Sequence, residues 1–199
     1  MNNGVRNSLV VRVTYLRMTS RPDRIPKPKP DVNSEINLDR VENPSIEFYR
    51  NIYADVGLPW LWYERTEMTD EELFKIISDD RVKIYVLYVD GEAAGFAELD
   101  SRKPPNYDLR DIHLAYFGLA SGYIGRGHGS FFINSIVDIA WANDIRRIWL
   151  RTCSLDHPAA LPTYLKAGFV IYGHETCVIE DPRTRNIIPK VQTIKTSYT

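Results

Sequence analysis

Apolar and polar positions alternate from Val82 to Val89 and again from Ala93 to Leu99, on either side of Asp90-Gly91. Period-two runs joined by an Asp-Gly step predict a β-hairpin. Leu9 to Met18 is rich in β-branched residues and lacks helical period, so it reads as a further strand. Residues 21–31 hold four prolines, which remove donors and fix φ, and therefore form an extended connector between that strand and a main body over 43–199. Asn43-Pro44-Ser45 starts a helix through Ile46 to Tyr53. Thr69-Asp70-Glu71-Glu72 has the form of a capping box and opens a second helix reaching about Ser78. A polar loop with Pro104-Pro105-Asn106 precedes a strand over Asp111 to Leu119. A glycine turn, a helix from Phe131 to Trp141, a strand at Ile148-Trp149-Leu150, a helix and a strand complete the order. Helices alternating with strands after an antiparallel start imply a mixed sheet covered on both faces.

Composition narrows this picture by exclusion. With 199 residues, 44% of them apolar, the chain has the size of one domain with a substantial core. Its 25 basic and 26 acidic residues show no basic stripe with interleaved aromatics, which argues against a nucleic-acid partner. The one local excess, Arg146, Arg147 and Arg151, is either a solvated helix end or an attractor for an acidic ligand. Cys153 and Cys177 are the sole cysteines, and no Cys/His metal spacing occurs, so the expectation is a reduced, cytoplasmic protein without a metal. No apolar run reaches membrane-spanning length, and no membrane role is expected. A basic stretch precedes the first acid, Asp23, and leaves a transit peptide open beside the strand reading.

The chemistry centres on Gly125-Arg126-Gly127-His128-Gly129, between an apolar strand and a helix. Helix N-terminal amides are unpaired and partially positive, and glycines let an anion approach them. Downstream lies His157-x-x-Ala160-x-x-x-Tyr164-x-x-x-Gly168-Phe169. Together these segments resemble the Gcn5-related N-acetyltransferase (GNAT) family. The first matches its Arg/Gln-x-x-Gly-x-Gly/Ala turn from Ile124 to Gly129, the second its Asn-x-x-Ala-x-x-x-Tyr-x-x-x-Gly-Phe signature, and the match is best over 82–178. The leading Arg/Gln is Ile124 here and the leading Asn is His157. The resemblance implies an acyl-CoA N-acyltransferase fold, with a mixed, mostly antiparallel sheet of six to seven strands flanked by helices. It also implies an enzyme that uses acetyl-coenzyme A.

Acyl transfer to an amine needs a neutral amine, a stabilised oxyanion and relief of charge on the departing thiolate. By the resemblance, the backbone of Phe117, Gly118 and Leu119 contacts the pantetheine arm and the oxyanion. The amides from Gly125 to Ser130 hold the phosphates with little side-chain help, and Tyr164 serves the leaving group. Gly118 within an apolar strand marks a bulge or a close backbone approach. Two candidates compete for general base, His113 on the strand before the turn and Glu98 on the hairpin, beside a water relay with no single base. Asp111 shares a face with His113 and either orients it or raises its pKa. His157 is a cofactor contact or, with Asp156, a helix cap. His128 projects outward beside the pyrophosphate, and Arg126 meets a phosphate or solvent. On the acceptor side, Trp60, Trp62, Tyr63 and Glu64 either pack in the core or hold a cationic amine. Tyr116 and Trp149 read as core.

Other classes fit less well. The glycines lack the dinucleotide spacing, and no Gly-Lys-Ser/Thr ending marks a kinase. A non-catalytic acyl-CoA sensor with the same fold, and an acetyltransferase for protein N-termini or lysines, stand as alternatives to a small-molecule amine acceptor. The first strand and its connector are long enough to reach a second subunit, which makes a homodimer an expectation as well.

Overall fold

The computed structural model describes residues 8–30, 33–102, 110–185 and 187–188. The Pro104-Pro105-Asn106 loop lies outside the described residues, as does the end of the connector at Asp31. Seven strands form one sheet: β1 (Ser8–Met18), β2 (Ile36–Val41), β3 (Val82–Val89), β4 (Glu92–Asp100), β5 (Asp111–Leu119), β6 (Arg147–Cys153) and β7 (Val170–Glu180). Their spatial order is β2-β3-β4-β5-β6-β1-β7, with β5 and β6 parallel and the other neighbours antiparallel. This is the mixed sheet that the residue pattern implies, mostly antiparallel and seven-stranded as the resemblance implies.

Helices form where their caps stand. Ser45 accepts a hydrogen bond from the Phe48 amide and opens α1 (Ile46–Gly57). The capping box between Thr69 and Glu72 is present and opens α3 (Asp70–Ile77), which a short α2 (Glu64–Glu67) precedes. On one face, α1 and α3 bury Tyr49, Ile52, Tyr53 and Leu73 against Ile84, Val86 and Phe96 of the hairpin. On the other, α4 (His128–Trp141) and α5 (Ala160–Lys166) cover Leu16, Leu87, Leu114 and Leu150.

Two features depart from the sequence expectation. The helices follow not β1 but β2, a short strand whose alternation is too brief to read. β1 itself is inserted at the other end of the sheet, antiparallel to both β6 and β7. The proline connector returns along α4: Arg24 donates to both carboxylate oxygens of Asp138 and to the Asn134 carbonyl. Strand and connector are thus seated on their own chain.

Leu16, near the C-terminal end of this inserted strand, is fully buried. Leu16→Ala is expected to cost about 2–5 kcal/mol, read as a lower urea midpoint; a loss under about 1 kcal/mol would show that β1 is only loosely held.

Candidate functional site

The parallel ladder between β5 and β6 covers only Asp111 to His113 against Arg147 to Trp149. Beyond it the strands part, and each keeps its outer partner: β5 stays on β4 as far as Leu119, β6 on β1 as far as Cys153. A β-bulge assists the parting, because Glu98 faces Tyr116 while Leu99 faces Leu114, leaving Ala115 extra on β5. Gly118 is not that bulge. It lets α1 approach, since a Cβ there would fall 2.5 Å from Val56 Cγ1.

A cavity of about 630 Å³ fills the opening. Ile124, Gly125, Gly127, Gly129, Ser130 and Tyr164 line it on the α4 and α5 side. Gly127 takes φ +84° at the start of α4, and no side chain caps that end, so the amides of Gly129 and Ser130 are left for a ligand. The segment from Phe117 to Leu119 runs along the middle of the opening. Trp60, Trp62, Tyr63 and Glu64 line the α1 side, together with Tyr116, which is cavity wall as well as core. Trp62 lies among Tyr53, Phe96 and Tyr116 with ring centroids 5.2 to 6.3 Å away. Glu64 accepts from Tyr53 Oη at 3.3 Å and from Arg151 at 3.5 Å.

Tyr164 is buried, with its ring edge on Phe117 and Phe169. Burial, and then the carboxylate of Asp156, push its phenol well above the usual tyrosine range, so it is a fixed neutral hydroxyl. Asp156 is the residue that sequence reasoning misjudged most. It does not cap α5 but accepts from Thr152 Oγ1 at 2.8 Å, the Cys153 amide at 2.8 Å and Trp62 Nε1 at 3.2 Å. That last bond ties the two walls of the cavity together. Beside it His157 accepts from the Ala159 amide at 3.0 Å through Nδ1, and its ring meets Trp60 edge-on at 4.9 Å. Its position next to the signature was the available signal for Asp156; its reach to Trp62, 94 residues away, was not in the sequence.

Four of the proposed residues are not brought to this cavity. Arg126 and His128 line a second hollow of about 530 Å³, beside Pro30 and Asp90, and His128 is buried instead of projecting outward. Glu98 is fully buried and locked, accepting from Tyr49 Oη at 2.5 Å and from Arg65 Nη2 at 2.6 Å. Burial disfavours the Arg65 charge, but the Glu98 carboxylate more than compensates and raises its pKa. A carboxylate held by both donors is poorly placed to collect a proton from a substrate. His113 stacks flat on Trp149 at 3.9 Å, and burial, then Arg151, lower its pKa to about 4. Asp111 does not raise it, being paired to Arg146 at 2.8 Å and Arg147 at 2.9 Å. Those two arginines are therefore ion-pair partners, and Arg151 is the member of the cluster that faces the cavity.

The sequence profile of the Acetyltransferase (GNAT) family matches residues 42–169. The chain belongs to this family. Among solved structures it resembles a functionally unknown conserved protein of Staphylococcus epidermidis, at 15% identity and a TM-score of 0.58, over 88% of this chain and 64% of that one. A Gcn5-related N-acetyltransferase of Sphaerobacter thermophilus matches at 13% identity and a TM-score of 0.57, over 85% and 50%. The chain thus spans about half to two thirds of the length of both. Aminoglycoside N-acetyltransferase AAC(6′)-Iy, solved in complex with CoA, matches at 16% identity and a TM-score of 0.51, over 72% and 97%. These likenesses establish the GNAT fold. Among curated proteins none matches the chain in sequence. Among the described residues no helix is long and apolar enough to cross a membrane, and no three His, Cys, Asp or Glu side chains gather to hold a metal ion.

Two measurements check the electrostatics. Arg65→Met leaves the Glu98 carboxylate buried without its cation and is expected to lower stability by about 3–5 kcal/mol; restoration of part of that loss by adding Glu98→Gln would confirm the pairing. His113 takes up its proton near pH 6.5 when unfolded but near 4 when folded, so the unfolded state binds more protons in between. Stability should therefore fall as pH drops through that window, by at most about 1.4 kcal/mol per pH unit, and His113→Phe should flatten that part of the urea-unfolding profile.

Proposed function

We propose that the protein transfers an acetyl group from acetyl-coenzyme A to the primary amine of a small-molecule acceptor, with both bound together in the one cavity. The observation that carries this reading is the continuity of that cavity, from the uncapped start of α4 through the parted strands to the aromatic wall around Glu64. Family membership and a neighbour solved with CoA support it from outside.

The residues present fit such a co-substrate. Glycines at 125, 127 and 129 keep side chains off the first-turn amides, and an added Cβ at Gly129 would meet nothing nearer than Leu119 at 3.7 Å, so glycine there leaves cavity space. These amides would hold the diphosphate, with Ile124 adding contact but no charge. Acetyl-coenzyme A, when bound, supplies an activated thioester carbonyl. The β5 backbone from Phe117 to Leu119, unpaired toward β6, would orient the acyl group through its polar groups. Tyr164 keeps its proton at Oη and donates a hydrogen bond toward the sulfur, since a phenol raised this far is a poor proton donor but a good hydrogen-bond donor to charge.

The amine must arrive neutral or lose its proton on arrival. Glu98 and His113 receive no part in this step. Glu64, half-buried at the cavity wall, holds the ammonium and passes its proton to water. Thiol release from acetyl-coenzyme A with a panel of primary amines tests the proposal. Tyr164→Phe is expected to lower kcat about ten- to hundredfold, the value of a hydrogen bond to a charged group, with cofactor affinity little changed. Tight CoA binding without thiol release for any amine would make the chain an acyl-CoA-binding module and overturn the proposal.

A further inference from the structure

The cavity lining also includes an apolar lobe of residues outside the family turn and signature. Its wall is Val11 and Val13 of the inserted β1, Cys153 of β6, and Cys177 and Ile179 of β7. In β1, Leu16 and Met18 belong to the core that α4 and α5 cover. Side chains alternate along a strand, so Val11 and Val13 point to the opposite face. Val13 is the register partner of Cys153, and Val11 of Cys177, so the three strands present an apolar strip, bounded on β7 by Glu175, the partner of Val13 there. Arg151, two residues before Cys153 and therefore on the same face, reaches Glu64. The strip thus begins one side chain away from the carboxylate assigned to the ammonium.

The charges of the cavity are few. Among the described residues its formally charged lining residues are Glu64, Arg151 and Asp156. Asp156 is engaged by Thr152, Cys153 and Trp62, and Glu64 is set beside Arg151. One cationic head group balances this set. A polyamine or an aminoglycoside would leave further ammonium groups against valine, isoleucine and cysteine, where desolvation is costly.

We infer that the acceptor is a monoamine with an apolar tail, the ammonium at Glu64 and the tail along the β1–β7 strip. This rests on the acetyl-transfer reading for the identity of the head group, while the lobe itself does not. The length of a linear amine is the variable to test. With butylamine to octylamine as acceptors, kcat/KM should rise about three- to fourfold for each of the first added methylenes, and spermidine and kanamycin should be poorer than hexylamine. Ile179→Asp, on the edge strand, and the near-isosteric Val13→Thr should each reduce the octylamine to butylamine ratio at least tenfold and about threefold, respectively.

A flat or falling series, or preference for spermidine or kanamycin, would overturn the inference. So would a gain in rate on replacing acetyl-CoA by octanoyl-CoA, because the lobe would then hold the acyl chain. Calorimetric titration of the same amines into the CoA complex separates this from failure of the transfer proposal. Octylamine binding at least tenfold tighter than butylamine, without thiol release, would sustain the lobe and sink the transferase; no difference in affinity would sink the lobe whatever the turnover.

Discussion

A parallel strand pair that holds for three residues and then parts is the constraint on which the rest of this molecule depends. Parting exposes backbone N–H and C=O groups that must find other partners or a ligand. The cost is tolerable because each strand is held from outside. β5 keeps its ladder to β4 through the bulge at Ala115, and β6 keeps its ladder to β1. The insertion of β1 between β6 and β7 is therefore part of the site: without it β6 would be a lone edge at the point where it leaves β5.

Aromatic packing and one buried ion pair set the shape of the opening. The Arg65 guanidinium lies 5.2 Å over the Tyr116 ring while it holds Glu98, so one cation fixes both the start of α2 and the wall residue beside it. Such a pair contributes little net stability, since desolvation offsets most of the attraction, but it fixes one arrangement. Trp62 then crosses to Asp156, and Trp60 to His157, which joins the segment after α1 to the turn after β6. The aromatic wall and the signature segment are in this way one unit, though the chain separates them by nearly half its length.

Much of the fold was legible. Ser45 and the Thr69–Glu72 box start their helices, and Asp90-Gly91 turns the hairpin, because these devices act within a few residues of themselves. The glycine turn, Tyr164 and the run from Trp60 to Glu64 all line the cavity. Glu98 and His113 were not legible as what they are. A polar residue on a strand looks alike in sequence whether it faces substrate, an arginine 33 positions away or a tryptophan ring on the next strand. Asp111 likewise was read against its neighbour on the strand and not against Arg146 and Arg147, which only the parallel pairing brings near.

The sequence alone determined the local elements, the glycine turn and the family, since each is encoded in short spacings of capping, glycine and signature residues. Tertiary structure decided where β1 goes, which carboxylates are sealed, and that Val11, Val13, Cys177 and Ile179 form one surface with Glu64 near its end. The reason is physical. A strand carries its alternation within itself, but its neighbours are chosen by the free edges and buried faces that the rest of the chain leaves open.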